Sequence, residues 1–301
     1  MDVIGFGALN WDRLLKVPRI ASGDEERVVL EQTCAPGGSA ANTIYGLAKL
    51  GFKTGFVGAL GDDAEGREML IAFDKIGVDT SRIVMRKNQP TGAAYSFIDP
   101  KGERALYINP GANDTLSEED VDVEFMGSSQ VLHMTSFCGE EQFQLQRKLL
   151  ERLPENQLVS VAPGAIYAER DDFEPFLERA NILILNRGEV ERISGADYED
   201  GALKLMEKGC DLVAVTLGSE GCFIASKEGS WTVSGFPAQV IDTTGAGDAF
   251  AAGFLAGILE NLSPVTCGRL GNAVAALCIA KMGARAGMPT RTELDALVSA
   301  G

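Results

Sequence analysis

The sequence predicts an α/β protein, with a doubly wound, mostly parallel sheet, helices on both faces and a small β-sheet lid. Short apolar runs alternate with Ala- and Leu-rich segments of helical spacing over most of the chain. Two stretches, 13–33 and 90–110, show β-type alternation around the turns SGDE and DPKG instead. The 301 residues, 45% of them hydrophobic, are enough for a large packed core.

The elements of the core follow one another as strand and then helix. The run 2–8 is apolar and ends near glycine, and the helical segment 38–50 stops at Gly51. Strands are predicted at 2–8, 53–58, 130–135, 157–161, 181–185 and 212–217, and helices at 38–50, 64–76, 140–153, 188–194, 199–208, 245–260, 264–282 and 291–299. This order predicts an α/β core formed by 1–12, 34–89 and 111–301, interrupted twice by the lid segments 13–33 and 90–110.

Charge and composition exclude several classes of function. With 27 Lys+Arg against 43 Asp+Glu the formal net charge is −16, which argues against nucleic acids and anionic membranes as partners. The single His leaves no His-rich zinc site, and none of the 6 Cys stand in CxxC spacing. The first residues lack the pattern of a signal peptide, so a cytoplasmic location is expected.

The stretch 242–250, DTTGAGDAF, carries the strongest chemical signal. Gly245 and Gly247 lead directly into a predicted helix, whose free first-turn N–H groups would form an anion site. Asp248 lies in that turn and could accept the proton of an alcohol attacking a phosphoryl group. The alternative is helix punctuation, in which Asp248 stabilises the helix dipole and a threonine caps it.

Two further stretches suit a polar ligand. In 36–43 (PGGSAANT) two glycines precede a helix, and Asn42 lies about one turn inside it. Asn10 and Asp12 follow the first strand, where open α/β sheets bind ligands and where an amide and a carboxylate would suit sugar hydroxyls. An ordinary loop and an Asx turn are the respective alternatives.

Two later strand ends could contact a nucleotide. Asn186 and Glu189 share a face at a helix start and could organise water around Mg²⁺, although a helix cap explains them as well. The stretch VTLGSEG (215–221) ends a strand in a glycine-containing turn, as a nucleotide-contacting loop or a simple β-turn would. There is no P-loop motif. His133, which ends a strand, is interpreted as a core or cleft residue.

Taken in order, these stretches resemble the ribokinase-like (PfkB) family of carbohydrate and nucleoside kinases. PGGSAAN resembles the first family signature and DTTGAGDAF the second, more specific one. NRGE matches the N-x-x-E motif, VTLGSEG the nucleotide-site turn, and GERALYINPGAN (102–113) the lid segment. The likeness extends over the whole chain.

The resemblance implies transfer of the γ-phosphoryl group of ATP, with Mg²⁺, to a hydroxyl of a small substrate. It implies that Asp248 is the general base and that Gly245, Ala246 and Gly247 form the anion hole. It assigns the acceptor to Asn10, Asp12, Gly38 and Asn42, and the nucleotide to Asn186, Glu189, Thr216, Gly218, Gly221 and Asn272. Glu189 would hold Mg²⁺ through water, and Asp242 and Thr244, with the 283–287 stretch, a monovalent cation such as K⁺.

The substrate is expected to be sugar-like, with two departures from the ribokinase pattern. Phe137 stands where ribokinases have Glu, and Val161-Ala-Pro-Gly164 lacks Asn or Asp, so ribose itself is not favoured. Phe137 and His133 would form a flatter wall, which makes a nucleoside kinase the alternative. Arg13, Lys16 and Arg104 could instead meet an acidic or phosphorylated sugar. A non-catalytic small-molecule sensor and a homodimer through the lid edge are further hypotheses.

Overall fold

The computed structural model describes residues 1–300 and contains two sheets. The strands, in chain order, are β1 (Val3–Phe6), β2 (Asn10–Lys16), β3 (Glu31–Gly37), β4 (Thr54–Gly61), β5 (Asp79–Arg86), β6 (Gly92–Ile98), β7 (Arg104–Asn109), β8 (Val131–Thr135), β9 (Leu158–Ala162), β10 (Ile182–Asn186), β11 (Leu212–Thr216), β12 (Cys222–Ser226) and β13 (Gly229–Val233). The helices are α1 (Ser39–Lys49), α2 (Ala64–Asp74), α3 (Val123–Gly127), α4 (Glu140–Arg152), α5 (Gly164–Ala168), α6 (Glu174–Arg179), α7 (Arg187–Ser194), α8 (Tyr198–Glu207), α9 (Ala246–Leu259), α10 (Pro264–Cys278) and α11 (Arg291–Ala300).

The main sheet has nine strands in the order β13-β12-β11-β10-β9-β8-β1-β4-β5. All neighbours from β11 to β5 are parallel, and β12 and β13 add an antiparallel edge. Successive residues of one strand enter opposite cores: Val131 packs on the side of α1, α9 and α10, whereas Leu132 packs on the side of α4 and α8. Helices therefore cover both faces, which confirms the predicted doubly wound fold.

The chain changes direction across the sheet at β1. From β1 it proceeds to β4 on one side, and it later returns to β8 on the other side. Ligand sites of open α/β sheets lie outside the carboxyl ends of strands at such a point. The predicted site residues Asn186 and Thr216 end β10 and β11, and Asn10 begins β2, four positions after β1 ends.

The small sheet has the order β3-β2-β6-β7, with β2 and β6 parallel and the outer pairs antiparallel. Its strands reach beyond the 13–33 stretch at both ends, because Asn10–Asp12 and 34–37 also belong to them. Leu106 and Tyr107 of the edge strand β7 are exposed. The division of the chain into core and lid, and the pairing of two copies through this edge, stay predictions.

One buried side chain ties the small sheet to the core. Asn113 pairs with the backbone of Leu9, accepting from its N–H at 2.8 Å and donating to its O at 3.0 Å. Its amide nitrogen also donates to the Oδ1 of Asn10 (3.0 Å) and to the O of Pro110 (2.9 Å). The point where β2 leaves the core and the point where β7 returns to it are thus joined.

The predicted helices and strands form within a few residues of their expected bounds. Sequence patterns did not indicate β5, the β12–β13 hairpin or the short helices α3, α5 and α6. Within residues 1–300, no helix has the length and apolar character required to cross a membrane.

His133 is a fully buried member of β8. Its Nδ1 lies 3.1 Å from the Ser160 Oγ on β9, and its Nε2 has no hydrogen-bond partner among the described residues. Burial lowers the pKa of His133 from 6.5 to about 4. The side chain is therefore a neutral core residue at physiological pH.

We expect His133 to make the protein acid-sensitive. Because the folded pKa lies below the unfolded value, the unfolded state binds more protons between about pH 6.5 and pH 4, and stability falls as pH falls through this window. The loss reaches about 3 kcal/mol. Urea unfolding at several pH values should show a smaller slope for His133→Gln than for the wild type. Parallel curves would contradict the assignment, since the chain has no other His.

Candidate active site

The cleft at the carboxyl edge of the main sheet centres on the start of α9. Gly245 caps this helix in the left-handed conformation, with φ 78° and ψ 5°. A Cβ at Gly245 would lie 2.5 Å from the Cβ of Ala284, so the turn is pressed against the loop that follows α10. Only glycine fits this position without strain.

The N–H groups of this turn are not equivalent. The Ala246 N–H donates to the Thr243 O at 3.2 Å and closes the turn. Among residues 1–300, no acceptor is found for the N–H of Gly247, which lines the cleft. The Gly247 N–H, at the positive end of α9, is therefore unpaired within the described chain and is the kind of group that can donate to an anion, whereas the Ala246 N–H would have to give up its turn bond or share it.

Asp248 receives hydrogen bonds on both carboxylate oxygens. The Ser39 Oγ donates to Oδ1 at 2.6 Å, and the Asn42 Nδ2 donates to Oδ2 at 2.8 Å. Burial raises the pKa of Asp248, and these two bonds oppose the rise. The N-terminal turns of α1 and α9 are joined in this way, and Gly38 is the N-cap of α1. Of the predicted acceptor residues, Asn42 thus contacts the predicted base directly.

A buried arginine extends this network. The Arg285 Nε donates to the Asn42 Oδ1 at 2.8 Å, and its Nη2 donates to the Gly37 O at 3.1 Å. The side chain is 8% exposed, and its guanidinium lies over the rings of Tyr45 and Phe73. Burial lowers the pKa of Arg285 to about 10, so it stays charged at neutral pH.

Asp12 lies on β2, beside the same cluster. Burial raises the pKa of Asp12 to about 7, a rise that Arg285 and Arg104 oppose and Asp248 increases. Asp12 is therefore close enough to Asp248 for the two charges to interact. Asn10, two residues earlier and on the same face of β2, is buried, with its Oδ1 held by Asn113.

Asn186 and Glu189 form the cap of α7. The Asn186 Oδ1 accepts from the Glu189 N–H at 2.9 Å, and the Glu189 Oε2 accepts from the Asn186 N–H at 3.0 Å. Both residues also line a cavity of about 120 Å³ together with Asp248 and Gly247. Burial raises the pKa of Glu189, and the negative charge of Asp248 adds to the rise. Asn186 and Glu189 therefore cap α7 and line the cleft at the same time.

A second cavity of about 430 Å³ continues from the first past Thr216 and Gly247. Its polar edge includes Gly218, Gly221 and Asn272, whose Nδ2 donates to the carbonyls of Val233 and Ser234. Its walls are apolar and include Phe236, Val240, Phe250, Ala275 and Ile279. The size, the apolar walls and the few polar groups are typical of a small-molecule site.

A third cavity, of about 650 Å³, lies between the small sheet and the 240–244 segment. Asp242, Thr244 and Arg104 line it, and Thr243 borders both this cavity and the second one. The Asp242 carboxylate accepts the N–H groups of Thr244 (2.9 Å) and Gly283 (2.8 Å) and so connects two loops. The cavities thus meet at the turn before α9.

Three sequence expectations about the substrate wall need correction. Phe137 is 1% exposed and packs edge-on against Phe6, 5.4 Å between ring centroids, and His133 is fully buried. Neither presents a flat surface to the cleft. Arg13 pairs with Glu65 and lies over Tyr95, whereas Lys16 lines the third cavity, where it pairs with Glu31. Of the lid cations, Arg104 is the one whose charge acts on Asp12 and Asp248.

Sequence reasoning missed three residues of the site. Ser39 and Asn113 lay inside quoted motifs but had no role, and Arg285 was included only as part of a cation loop. The sequence signal that could have indicated a role for Arg285 is its position as a charged residue among the small residues of GARAG (283–287). Nothing in the sequence could indicate that its partner is Asn42, 243 positions away.

Comparisons with known proteins agree with this geometry. The profile of the pfkB family carbohydrate kinases matches residues 2–291. The chain is 43% identical over 253 residues to an uncharacterized sugar kinase of Archaeoglobus fulgidus, covering 82% of this chain and 100% of that protein. It is 32% identical to an ATP-dependent ribose-1-phosphate kinase of Halopiger xanaduensis, covering 99% of this chain and 98% of that one.

A solved structure shares the whole fold. The ribokinase of Arabidopsis thaliana, determined in complex with ribose and ATP, superposes with a TM-score of 0.87 at 27% identity. The superposition covers 99% of this chain and 98% of that one. Given a family match along nearly the whole chain and a site at the expected edge of the sheet, the protein belongs to the pfkB family of carbohydrate kinases and is a phosphotransferase with an alcohol group as acceptor.

Proposed function

We propose that the protein transfers the γ-phosphoryl group of ATP to a hydroxyl group of a small, sugar-like substrate, with Asp248 as the general base. One observation carries this proposal. The Asp248 carboxylate, held by Ser39 and Asn42, lies in the same cavity as the free N–H group of Gly247. A proton acceptor beside an anion donor is the arrangement that phosphoryl transfer to an alcohol requires.

In the proposed reaction the acceptor hydroxyl lies against Asp248. Its proton passes to the Asp248 carboxylate as its oxygen bonds to the γ-phosphorus, while the bond from that phosphorus to the bridging oxygen of ADP breaks. The N–H groups at the start of α9 stabilise the negative charge on the transferring group. The adjoining apolar cavity beyond Gly218 and Gly221 would hold the adenosine part of ATP.

The donor set near Glu189 fits a hydrated Mg²⁺ ion. Glu189 and Asp248 raise each other's cost of ionisation in the cleft, and a divalent cation would relieve that repulsion. We infer that Glu189 and Asn186 would hold Mg²⁺ through water beside the triphosphate. The ion would neutralise the phosphate oxygens, and the residues would position it.

The Asp242 loop fits a monovalent cation less directly. Both carboxylate oxygens of Asp242 already accept backbone N–H groups, from Thr244 and Gly283. A K⁺ ion would have to bind the remaining lone pairs of these two carboxylate oxygens, together with main-chain carbonyl oxygens. We therefore derive no step from K⁺ and infer that Asp242 positions the turn before α9.

A coupled assay of ADP release tests the proposed function. The substrates to compare are sugars, sugar acids, sugar phosphates and nucleosides, each with MgATP. We expect ADP release to depend on one of these classes and the product to carry the phosphoryl group, as mass spectrometry would show. ADP release that no acceptor stimulates would contradict the proposal and favour a small-molecule sensor.

A nucleoside is the second candidate acceptor. The cavity under the small sheet is larger than a pentose requires, and Leu14, Leu30, Ile98, Val240 and Met282 give it an apolar lining. An apolar lining suits a base attached to the sugar. The relative from Halopiger xanaduensis, named a ribose-1-phosphate kinase, instead favours a sugar phosphate, for which Arg104 is the available cation.

We also infer that the small sheet closes over the acceptor. The cavity beneath it is formed jointly by Leu14 and Ile98 of that sheet and by Thr243 of the core. Closure would exclude water from the transfer and protect the amides of β2, β3 and β6. Hydrogen exchange in 10–37 and 92–109 should slow when acceptor and a non-hydrolysable ATP analogue are both present. Unchanged exchange in these segments would overturn the inference.

A further inference from the structure

Arg285 carries a buried positive charge that no carboxylate of the described residues contacts directly, and the compensating charges of Asp12 and Asp248 act on it from a distance. Among residues 1–300 no carboxylate oxygen lies within 4 Å of its guanidinium, and Nη1 is buried without a hydrogen-bond partner. Its other contacts are a carbonyl, an amide and two aromatic faces. Burial of a charge without a direct counter-ion is unfavourable, so an apolar residue at this position would stabilise the fold better.

The contacts of Arg285 determine how Asn42 is oriented. A guanidinium can only donate, so the atom of Asn42 that faces its Nε must be the amide oxygen. The amide nitrogen then faces the Asp248 Oδ2, to which it donates at 2.8 Å. A flipped amide would place N–H against N–H on one side and oxygen against oxygen on the other. Arg285 therefore fixes the direction from which Asp248 is bound.

The charge of Arg285 also acts on the acidic groups of the cleft. The titratable and charged groups that face Asp248 come from the small sheet, α7, α10 and the loop after α10: Asp12, Arg104, Glu189, Cys278 and Arg285. Asp12 and Glu189 disfavour ionisation of Asp248, as burial does. Arg285 and Arg104 oppose this effect, and Arg285 is the one fixed in the interior.

We propose that Arg285 is a positioning residue for phosphoryl transfer, which holds the Asn42 amide against Asp248 and supplies the positive charge that keeps this carboxylate ionised. The inference rests on the proposed function, since it assigns a role relative to Asp248. It also explains why a cation is retained in a buried loop where small residues would pack. Arg285 acts through Asn42 and is not assigned a contact with the substrate.

The test uses the full chain with Arg285→Ala and Arg285→Lys. For Arg285→Ala we expect kcat to fall about 10²-fold with little change in the KM for ATP, and the acid limb of the kcat profile to move to higher pH. Added guanidinium chloride at tens of millimolar should restore part of kcat and shift the limb back. Arg285→Lys keeps the charge but not the planar fork, so its kcat should fall while its acid limb stays in place.

The matched control is Arg179→Ala. Arg179 also binds two backbone carbonyls and an Asn oxygen, but it lies at the opposite edge of the sheet, beside Asn181. It should leave kcat and its pH profile unchanged and show no response to guanidinium. If the role of Arg285 were purely structural, Arg285→Ala would have a lower melting temperature, but the acid limb of its kcat profile would stay in place and guanidinium would not restore kcat.

The outcomes separate this inference from the proposed function. Wild-type kcat and an unmoved acid limb in Arg285→Ala would overturn the role of Arg285. If that variant does not fold, wild-type turnover of Arg285→Lys would overturn it equally. Asp248→Asn in the same assay distinguishes the two claims. Its continued turnover would overturn the proposed base, whereas its inactivity beside a normal Arg285→Ala would overturn only the inference about Arg285.

Discussion

Asp248→Asn is expected to lower kcat by about 10³-fold or more. The amide keeps the size of the carboxylate but cannot accept the proton of the acceptor hydroxyl. It would also present an N–H group to Ser39 or Asn42, both of which now donate to Asp248. The cavity proposed for the nucleotide is lined by other residues, so ATP should still bind with nearly unchanged affinity, which isothermal calorimetry would measure.

The control for this variant is Asp295→Asn on α11. Asp295 pairs with Arg291 at the surface and lines none of the three cavities described, so its variant should leave kcat unchanged. The decisive comparison is between kcat and ATP affinity. If Asp248→Asn turned over at a rate within tenfold of the wild type, Asp248 could not be the base.

Gly245→Ala is expected to reduce both activity and stability. Its φ of 78° is strained for any L-residue, and the new Cβ would lie 2.5 Å from the Cβ of Ala284. The turn must shift to relieve this contact, and the Gly247 N–H group shifts with it. Loss of a well-placed anion donor costs about 10²-fold in kcat. The strain and the contact together should lower the free energy of unfolding by about 3 kcal/mol.

Gly77→Ala separates the two causes. Gly77 has the same φ of 78°, but a Cβ there meets nothing within 4 Å. Its variant should lose about 1 kcal/mol of stability and no activity. Urea unfolding and steady-state kinetics of both variants provide the test. Equal effects on kcat would show that strain alone, and not the contact with Ala284, is responsible.

The core of the fold could be predicted because its signals are local. Strands such as β4 are buried throughout and therefore read as continuous apolar runs, and helices such as α1 end where glycine permits. The edge strand β5 could not be found in this way. It is only partly buried, and its sequence DTSRIVMR lacks a clean apolar face.

The site could be predicted in its glycine turns but not in its supporting contacts. Gly245, Gly247 and Asp248 lie within four positions, so one short motif indicates them all. The bonds that orient Asp248 come from Ser39 and Asn42, more than 200 positions away. The predicted orientation of Phe137 was wrong for a related reason, because the packing of its ring against Phe6 determines where the ring points. Pairings of this kind depend on tertiary structure.

The bond between Arg285 and Asn42 has a consequence for the order in which the protein becomes competent. It joins a residue from the first sixth of the chain to one from the last, 243 positions later. A ribosome-bound chain can complete the first strands and α1 long before the loop that carries Arg285 has been synthesised. During that time Asn42 and Gly37 lack their partner, and α9 has not arrived to cover α1. Long-range contacts of this kind form late and slow the search for the native state. The cleft can therefore be completed only after nearly the whole chain has been synthesised, so catalytic activity requires the last sixth of the chain.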